Sequence, residues 1–397
     1  LVFSSIRTGA KLRGNKSAAA ADGFDVDNGA SVIYNNRAMI LKYQVFVLSA
    51  VTFLGGLNVA FASNSVRNTN SESSVVSDTI DGKKGYNSWP MVQSCGNKIV
   101  CVYTRGSAHT ISEGERDAFS KVSADGGRTW SQEYLLTGDK MQGEVPAGKG
   151  LDNNGDMLFW IRSIGKKGFF HTLYRTSDGI NFAPIHTSKL KVNPMQITDI
   201  FRVENVGLMS LWFAGNYKNK NANAWGTLVS RDNGATWTQN VVEAGVDFKD
   251  WPTEPSAVYL GDGKILGIAR VESGSRENAQ FQLQSSDYGK TWTRLRTNIT
   301  DVRSSTPTLI YDKKTDTLSN YYYQRGKGVL KRRTAKAKDI WDNPQSWPEP
   351  ENIAYASAVS YHAGNSNATN IGDKHYVAYY SGDEKNTKVV VTAVKSK

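Results

Sequence analysis

From about residue 85 to residue 397, apolar and polar positions alternate in short runs broken by Gly, Asn and Asp clusters. That is the period-two pattern of half-buried strands joined by tight turns. Ala118-Phe-Ser-Lys-Val122 is one such run, and it leads into the first copy of a recurring stretch, Ser123-Ala-Asp125-Gly-Gly127-Arg-Thr-Trp130. Further copies are Ser230-Arg-Asp232-Asn-Gly234-Ala-Thr-Trp237 and Ser285-Ser-Asp287-Tyr-Gly289-Lys-Thr-Trp292, with a worn one at Thr176-Ser-Asp178-Gly179-Ile-Asn-Phe182. The aspartates recur about every 54 residues, an interval that marks a propeller, solenoid or other array. In each copy Asp can accept backbone N–H groups of its own loop, Gly supplies a positive φ, and Trp folds back as an apolar clamp. Roughly 310 residues at that interval give close to six units, which predicts an all-β, six-bladed β-propeller over 85–397.

The first part of the chain reads differently. Residues 1–38 are polar and rich in Ala, Gly and Asn, without periodicity. Met39-Ile-Leu-Lys42 opens an apolar run over 43–59 that ends in Ala60-Phe61-Ala62. A basic start, an apolar middle and an A-x-A end predict a secretory signal peptide at 39–62, with a membrane anchor through 43–59 as the rival. Residues 63–84 read as a Ser/Asn/Thr-rich linker. A signal peptide places the domain outside the cell, secreted or at the cell surface; a phage-associated protein is the alternative.

Charge narrows the partners. The net charge of +11 favours a polyanion: nucleic acid, an anionic surface or an acidic polysaccharide. No nucleic-acid motif accompanies the basic residues. Their one cluster, Lys331-Arg332-Arg333, reads as a solvated strand end. Cys95 and Cys101 flank a turn at Gly96-Asn97-Lys98. A two-residue turn at Asn97-Lys98 would set Cys95 against Val100, so buried thiols and a cross-hairpin bridge both stay open. The five histidines are dispersed, no Cys/His metal spacing appears, and no metal or organic cofactor is implied.

The chemistry concentrates in a few segments. In Trp251-Pro-Thr-Glu254-Pro-Ser through Ile268-Ala-Arg270, a Gly261-Asp-Gly263 turn joins two strands, so Glu254 and Arg270 should meet at one end. That end should lie opposite the Asp-bearing turns. The turns resemble the Asp boxes of sialidases (neuraminidases), and this hairpin resembles the sialidase hairpin that carries the active-site glutamate and a carboxylate-clamp arginine. On that resemblance Glu254 and Arg270 take those roles. Tyr321-Tyr-Tyr-Gln324-Arg325 resembles the segment of the last clamp arginine, and Arg325 takes that place; Arg303 is a further candidate for the same pocket. Two guanidiniums can hold a sugar carboxylate in planar, bidentate contacts that lysine does not offer. Ala358-Val-Ser-Tyr361-His362 resembles the segment that presents the nucleophilic tyrosine of exo-sialidases, whose proton Glu254 would remove.

The first unit departs from the exo-sialidase pattern. Where that family has Arg-Ile-Pro, this chain has Ser88-Trp89-Pro90, and the loop from Arg105 through His109 to Asp117 lacks an obvious acid/base aspartate. Tyr86-Asn-Ser-Trp89 with His109 is instead similar to phage-type endosialidases (endo-N-acetylneuraminidases). That resemblance implies a groove lined by Tyr86, Trp89, Arg105 and His109, and internal cleavage of α-2,8-linked polysialic acid. Endosialidases lack the nucleophilic tyrosine, so Tyr361 leaves the stereochemistry open. Their trimer-forming stalk lies outside the range of the resemblance, which leaves a homo-oligomer open too. The rival functions are an exo-α-sialidase acting on terminal sialic acid and a propeller that binds sialylated glycans without cleaving them.

Overall fold

The computed structural model describes residues 71–78, 83–109, 111, 116–215, 219–271, 279–302, 305–357 and 362–397. The expected signal peptide or anchor at 39–62 and the segment 1–38 lie outside these residues. So do Arg303 and Tyr361.

The described chain is built of strands, as the alternation predicts, and they group by order along the sequence. The first group is β2 (Tyr86–Cys95), β3 (Lys98–Gly106), β4 (Asp117–Ser123) and β5 (Tyr134–Thr137), preceded by β1 (Ser71–Ser77). Next come β6 (Gln142–Leu151), β7 (Met157–Gly165), β8 (Gly168–Thr176) and β9 (Ala183–Thr187), then β10 (Gln196–Val203), β11 (Gly207–Ala214), β12 (Ala224–Ser230) and β13 (Thr238–Ala244). They are followed by β14 (Pro252–Gly261), β15 (Lys264–Val271), β16 (Phe281–Ser285) and β17 (Thr293–Arg296). Then come β18 (Thr308–Asp312), β19 (Thr317–Gln324), β20 (Val329–Lys336), a short helix α1 (Ala337–Asp342) and β21 (Glu351–Tyr355). The last are β22 (Ala363–Ile371), β23 (Lys374–Gly382) and β24 (Thr387–Lys395). Four groups are separate four-stranded antiparallel meanders. The remaining strands form one eight-stranded sheet, running from β22 through β24 to β2 and on to β5 with β1 off that path on β24, in which β2 meets β24 through the single parallel pair Tyr86–Thr387. Multiple four-stranded meanders of this kind are consistent with a propeller.

The inner strands of each meander are more buried than the last one. β6 is buried at nine consecutive positions and the second strands are buried almost throughout, as in β11 and β15, while the fourth strands, such as β5 and β17, are half exposed. The first strands touch one another in succession: β2, β6, β10, β14, β18, β22, and back to β2. They are also stitched by side chains. Asn367 Oδ1 accepts from Val92 N at 3.1 Å, Asp199 Oδ1 accepts from Lys149 N at 3.0 Å, and Ser256 Oγ accepts from Leu309 N at 3.0 Å. A buried strand edge without such partners would leave N–H groups orphaned at a cost of about 1–3 kcal/mol each.

The four Asp-bearing turns join third strands to fourth strands. Asp232 Oδ1 takes Ser230 Oγ at 2.8 Å and Thr236 N at 2.8 Å, while Trp237 Nε1 closes on Gly234 O at 3.1 Å. Asp287 and Trp292 repeat the pattern. The worn copy works as well: Asp178 collects Ile180 N and Asn181 N, with the Asn181 side chain standing in for threonine. These turns lie beside the hairpins joining first and second strands; Tyr288 N bonds Gly263 O at 2.9 Å. Antiparallel order therefore puts the starts of the first strands at the opposite end.

Three sequence expectations are corrected here. Part of the expected linker, Ser71–Ser77, is a strand: β1 pairs antiparallel with β24, buries Val76, and receives Trp130 Nε1 on Ser74 Oγ at 2.9 Å. Serines alternating with a buried valine satisfy a sheet edge, although their composition resembles a linker. Arg332 and Arg333 of the basic cluster are not solvated. Strand alternation sends them to opposite faces, where Arg332 pairs with Glu351 and Arg333 with Asp301 at 3.0 Å, and Lys331 joins Asp301 at 2.6 Å. The cysteine hairpin turns at Gly96-Asn97, so Cys95 faces Lys98 and Cys101 faces Val92, and both are buried free thiols. Gly96 at φ 59° favours the turn one residue earlier.

Candidate active site

The site is prepared by an irregularity shared among the first strands. In β14 the pairing skips between Thr253 and Ser256; in β2 it skips between Ser88 and Met91; in β22 it skips between Gly364 and Asn367. Two residues then oppose one, a bulge, which bends the strand and re-aims a side chain. The first bulged residue of each has a positive φ: Glu254 at 47°, Trp89 at 47° and Asn365 at 46°. Pro90 and Pro255 follow immediately, and a bulge is where a strand tolerates a proline that cannot donate to the ladder.

Glu254 and Arg270 meet as the hairpin requires. Arg270 pairs in register with Thr253, and its Nη1 reaches Glu254 Oε2 at 3.1 Å. Both side chains are largely withdrawn from solvent, so the pair is weakly screened. Thr306, just ahead of β18, donates its hydroxyl to the same Oε2. Arg325 sits in the hairpin between β19 and β20, at the same end of its meander as Arg270. It is 5% exposed; Nε bonds Ala363 O at 3.1 Å and Nη2 bonds Asn365 Oδ1 at 2.8 Å.

Tyr380 links this part to an aromatic bank. It stands opposite Gly364, the place Arg270 holds opposite Thr253, and it is fully buried. Burial raises its pKa, opposed by the nearby Arg325, with which it shares a hydrogen bond, and by Arg116. The Tyr86 ring lies 6.2 Å from that of Tyr380 and the Trp89 ring 6.4 Å. Tyr86 Oη contacts His109 Nδ1 at 3.0 Å and His362 Nδ1 at 3.1 Å, and Trp89 lies 5.1 Å from the His109 ring. Behind them the buried Arg116 guanidinium stacks 4.4 Å from Trp89 and 5.3 Å from Tyr86, held by Ser88 Oγ at 3.1 Å. Burial, with Arg325, Arg116 and His362 adding to it, lowers the His109 pKa to about 3, so this imidazole is neutral at physiological pH. Burial raises the Tyr86 pKa, with the Tyr380 hydroxyl adding to it, and keeps that phenol protonated.

Six of the residues singled out from sequence are thus gathered at one end: Glu254, Arg270, Arg325, Tyr86, Trp89 and His109. Arg105 is not among them. Its guanidinium is 5% exposed and turned to the other face of β3, where it bonds Glu133 at 2.8 and 2.5 Å, Asn87 at 2.9 Å and Ser77 at 3.1 Å. Side-chain direction alternates along a strand, and the parity that buries Tyr103 against Glu133 carries Arg105 there too. With these donors engaged it is a structural arginine. Arg116, Thr306, His362, Asn365 and Tyr380 complete the cluster and were not singled out. Tyr380 hides in Tyr376-Val-Ala-Tyr-Tyr380, which reads as core; the usable signals were Pro90 and Pro255 inside buried runs, which mark the bulges.

No protein-family model matches the chain, and no curated protein matches its sequence. Solved structures do resemble it. A protein of unknown function from Dyadobacter fermentans DSM 18053 aligns over 82% of this chain and 99% of its own, with a TM-score of 0.65 and 16% identity. A sialidase from Trypanosoma rangeli, in complex with the inhibitor DANA, aligns over 81% of this chain at a TM-score of 0.57 and 13% identity; this chain spans 59% of that one. The α-L-arabinofuranosidase Arb93A from Fusarium graminearum, in complex with an iminosugar inhibitor, aligns over 82% of this chain and 98% of its own, at 0.59 and 11%. The described chain therefore has the fold shared by a sialidase and an arabinofuranosidase.

Proposed function

We propose that the protein is a glycosidase of sialic-acid polymers, cleaving internal α-2,8-sialosyl linkages. The observation that carries this reading is the meeting of the bulge carboxylate Glu254 with Arg270 at the end of the sheets where Arg325 and the Tyr86–Trp89 rings also stand. In this reading Arg270 and Arg325 hold the sialyl carboxylate by charge-assisted hydrogen bonds. Glu254 takes a proton from the attacking water as its oxygen bonds the anomeric carbon, and the bond to the leaving sugar oxygen breaks as that oxygen takes a proton from solvent. Tyr86 and Trp89 give aromatic faces for sugar rings, and neutral His109 offers hydrogen bonding without adding charge. The net charge of +11 suits a polyanionic substrate. The ring of first strands is read as six blades, with β1 completing the last and the Asp-box turns on the face away from the site.

Digestion of polysialic acid with chain-length profiling tests the proposal. Oligomers of intermediate length are expected early; release of monomer alone overturns internal cleavage. Exo-cleavage through Tyr361 is the rival, and a Tyr361→Phe variant that keeps full turnover of a fluorogenic sialoside removes it. A wild type that binds sialylated glycans and never turns them over is a binding protein instead.

A further inference from the structure

Trp89, Glu254 and Asn365 occupy one topological position in three different meanders, the first residue of the bulge, and all three are held at positive φ. At residues such as Trp89 and Glu254 such a conformation costs on the order of 1–3 kcal/mol and persists where its surroundings impose it, whereas asparagine adopts it readily. Two of the three accept a hydrogen bond from a guanidinium, while Trp89 stacks on that of Arg116. In β14 the bulge residue is a carboxylate and meets Arg270 at 3.1 Å; in β22 it is an amide and meets Arg325 at 2.8 Å. A guanidinium only donates, so the Asn365 atom facing it is the oxygen, which fixes the orientation of the amide. Among the described residues no group accepts from Asn365 Nδ2, and the residue is only half-buried.

We infer that Asn365 is a positioning residue for an anion site at Arg325: its oxygen orients the guanidinium without neutralising it, and its amide nitrogen is left to donate to an uncharged oxygen of the same sugar acid. The contrast with Glu254 carries the argument. At Arg270 the Glu254 carboxylate already offsets part of the charge that meets the sialyl carboxylate; a second carboxylate here would do the same to Arg325 and oppose the incoming anion. An amide of similar shape keeps the orientation and leaves the positive charge for the ligand. Ala363 O, on Nε, fixes the base of the same guanidinium with another neutral acceptor.

The inference rests on the sialyl-carboxylate reading of the site, and the test separates the two. Binding of the inhibitor DANA is measured by calorimetry for wild type, Asn365→Asp and Asn365→Gly. Aspartate and glycine both tolerate positive φ, so neither variant strains the bulge. Asn365→Asp should weaken binding by about 30-fold, the scale of a lost charge-assisted contact, and Asn365→Gly by only a few-fold. In turnover, Asn365→Asp should raise KM with kcat largely kept. Wild-type binding with no loss in Asn365→Asp overturns the role of Asn365 and leaves the sialic-acid reading standing. Equal losses in both variants show a packing role and overturn it as well. Failure of the wild type to bind DANA overturns the sialic-acid reading and this inference with it.

Discussion

At the scale of single residues, the site depends on where charge is placed and what surrounds it. Glu254 is the only carboxylate singled out from sequence for chemistry, and its Oε2 is shared between Arg270 and Thr306. Replacing it by glutamine keeps the shape and removes the base, so turnover of a sialylated substrate should fall by about 10²–10⁴-fold with the circular dichroism spectrum unchanged. His109 makes a prediction about stability instead. Its folded pKa of about 3 lies below the ordinary histidine value, so between that ordinary value and 3 the unfolded chain binds the extra proton. Stability linked to His109 is present above the ordinary value and is lost as pH falls towards 3. His171 and His375, lowered to about 3 and about 4 mainly by burial, act in the same direction. A His109→Asn variant should therefore show a shallower fall of Tm between pH 6 and pH 4, without abolishing it.

At the scale of elements, turns and bulges divide the labour. The Asp-bearing turns satisfy their own backbone at one end of each meander; the bulges re-aim side chains at the other. Asp232→Ala removes the acceptor of Ser230 Oγ, Thr236 N and Thr236 Oγ1 and should lower Tm by several degrees while leaving substrate binding unchanged. The hydrogen bonds from Thr236 and Ser230 hold the Asp232 pKa at about 2, below its unfolded value. That contribution is present above the ordinary carboxylate range and is lost as pH falls to 2, so the Tm difference between wild type and variant should close on acidification. Much of this division was legible in the chain. The Ser-x-Asp-x-Gly-x-Thr-Trp copies announce their turns because the bonds their aspartates make are local. The bulges were legible only as prolines out of place, because a bulge is defined by the strand it pairs with. Asn365 has no proline after it and gave no such signal.

At the scale of the whole molecule, the first strands meet in a closed succession, and the N-terminal β1 lies along the C-terminal β24. This pairing protects an edge that would otherwise present unpaired N–H and C=O groups. Deleting residues 71–77 should lower the unfolding midpoint and promote aggregation on heating, checked by thermal melts with light scattering. The same pairing draws together the two ends of the described domain, so an early strand and a late one depend on each other.

Local chemistry, carried by sequence alone, determined the strand content, the repeat, the four turns and the hairpin that joins Glu254 to Arg270. Each follows from residues near one another in the chain, whose alternation and turn propensity act over a few positions. Tertiary structure decided which side each arginine faces. Arg105 and Arg325 both stand at the end of the second strand of their meander, yet Glu133 and Asn87 engage one while Asn365 and Ala363 hold the other at the site. It also decided that Tyr380, a core tyrosine by pattern, joins the two halves of the cluster, and that the basic run at 331–333 is internally paired. These outcomes depend on contacts between segments far apart in the chain, and only the packed sheets fix which partner a buried charge or hydroxyl will meet.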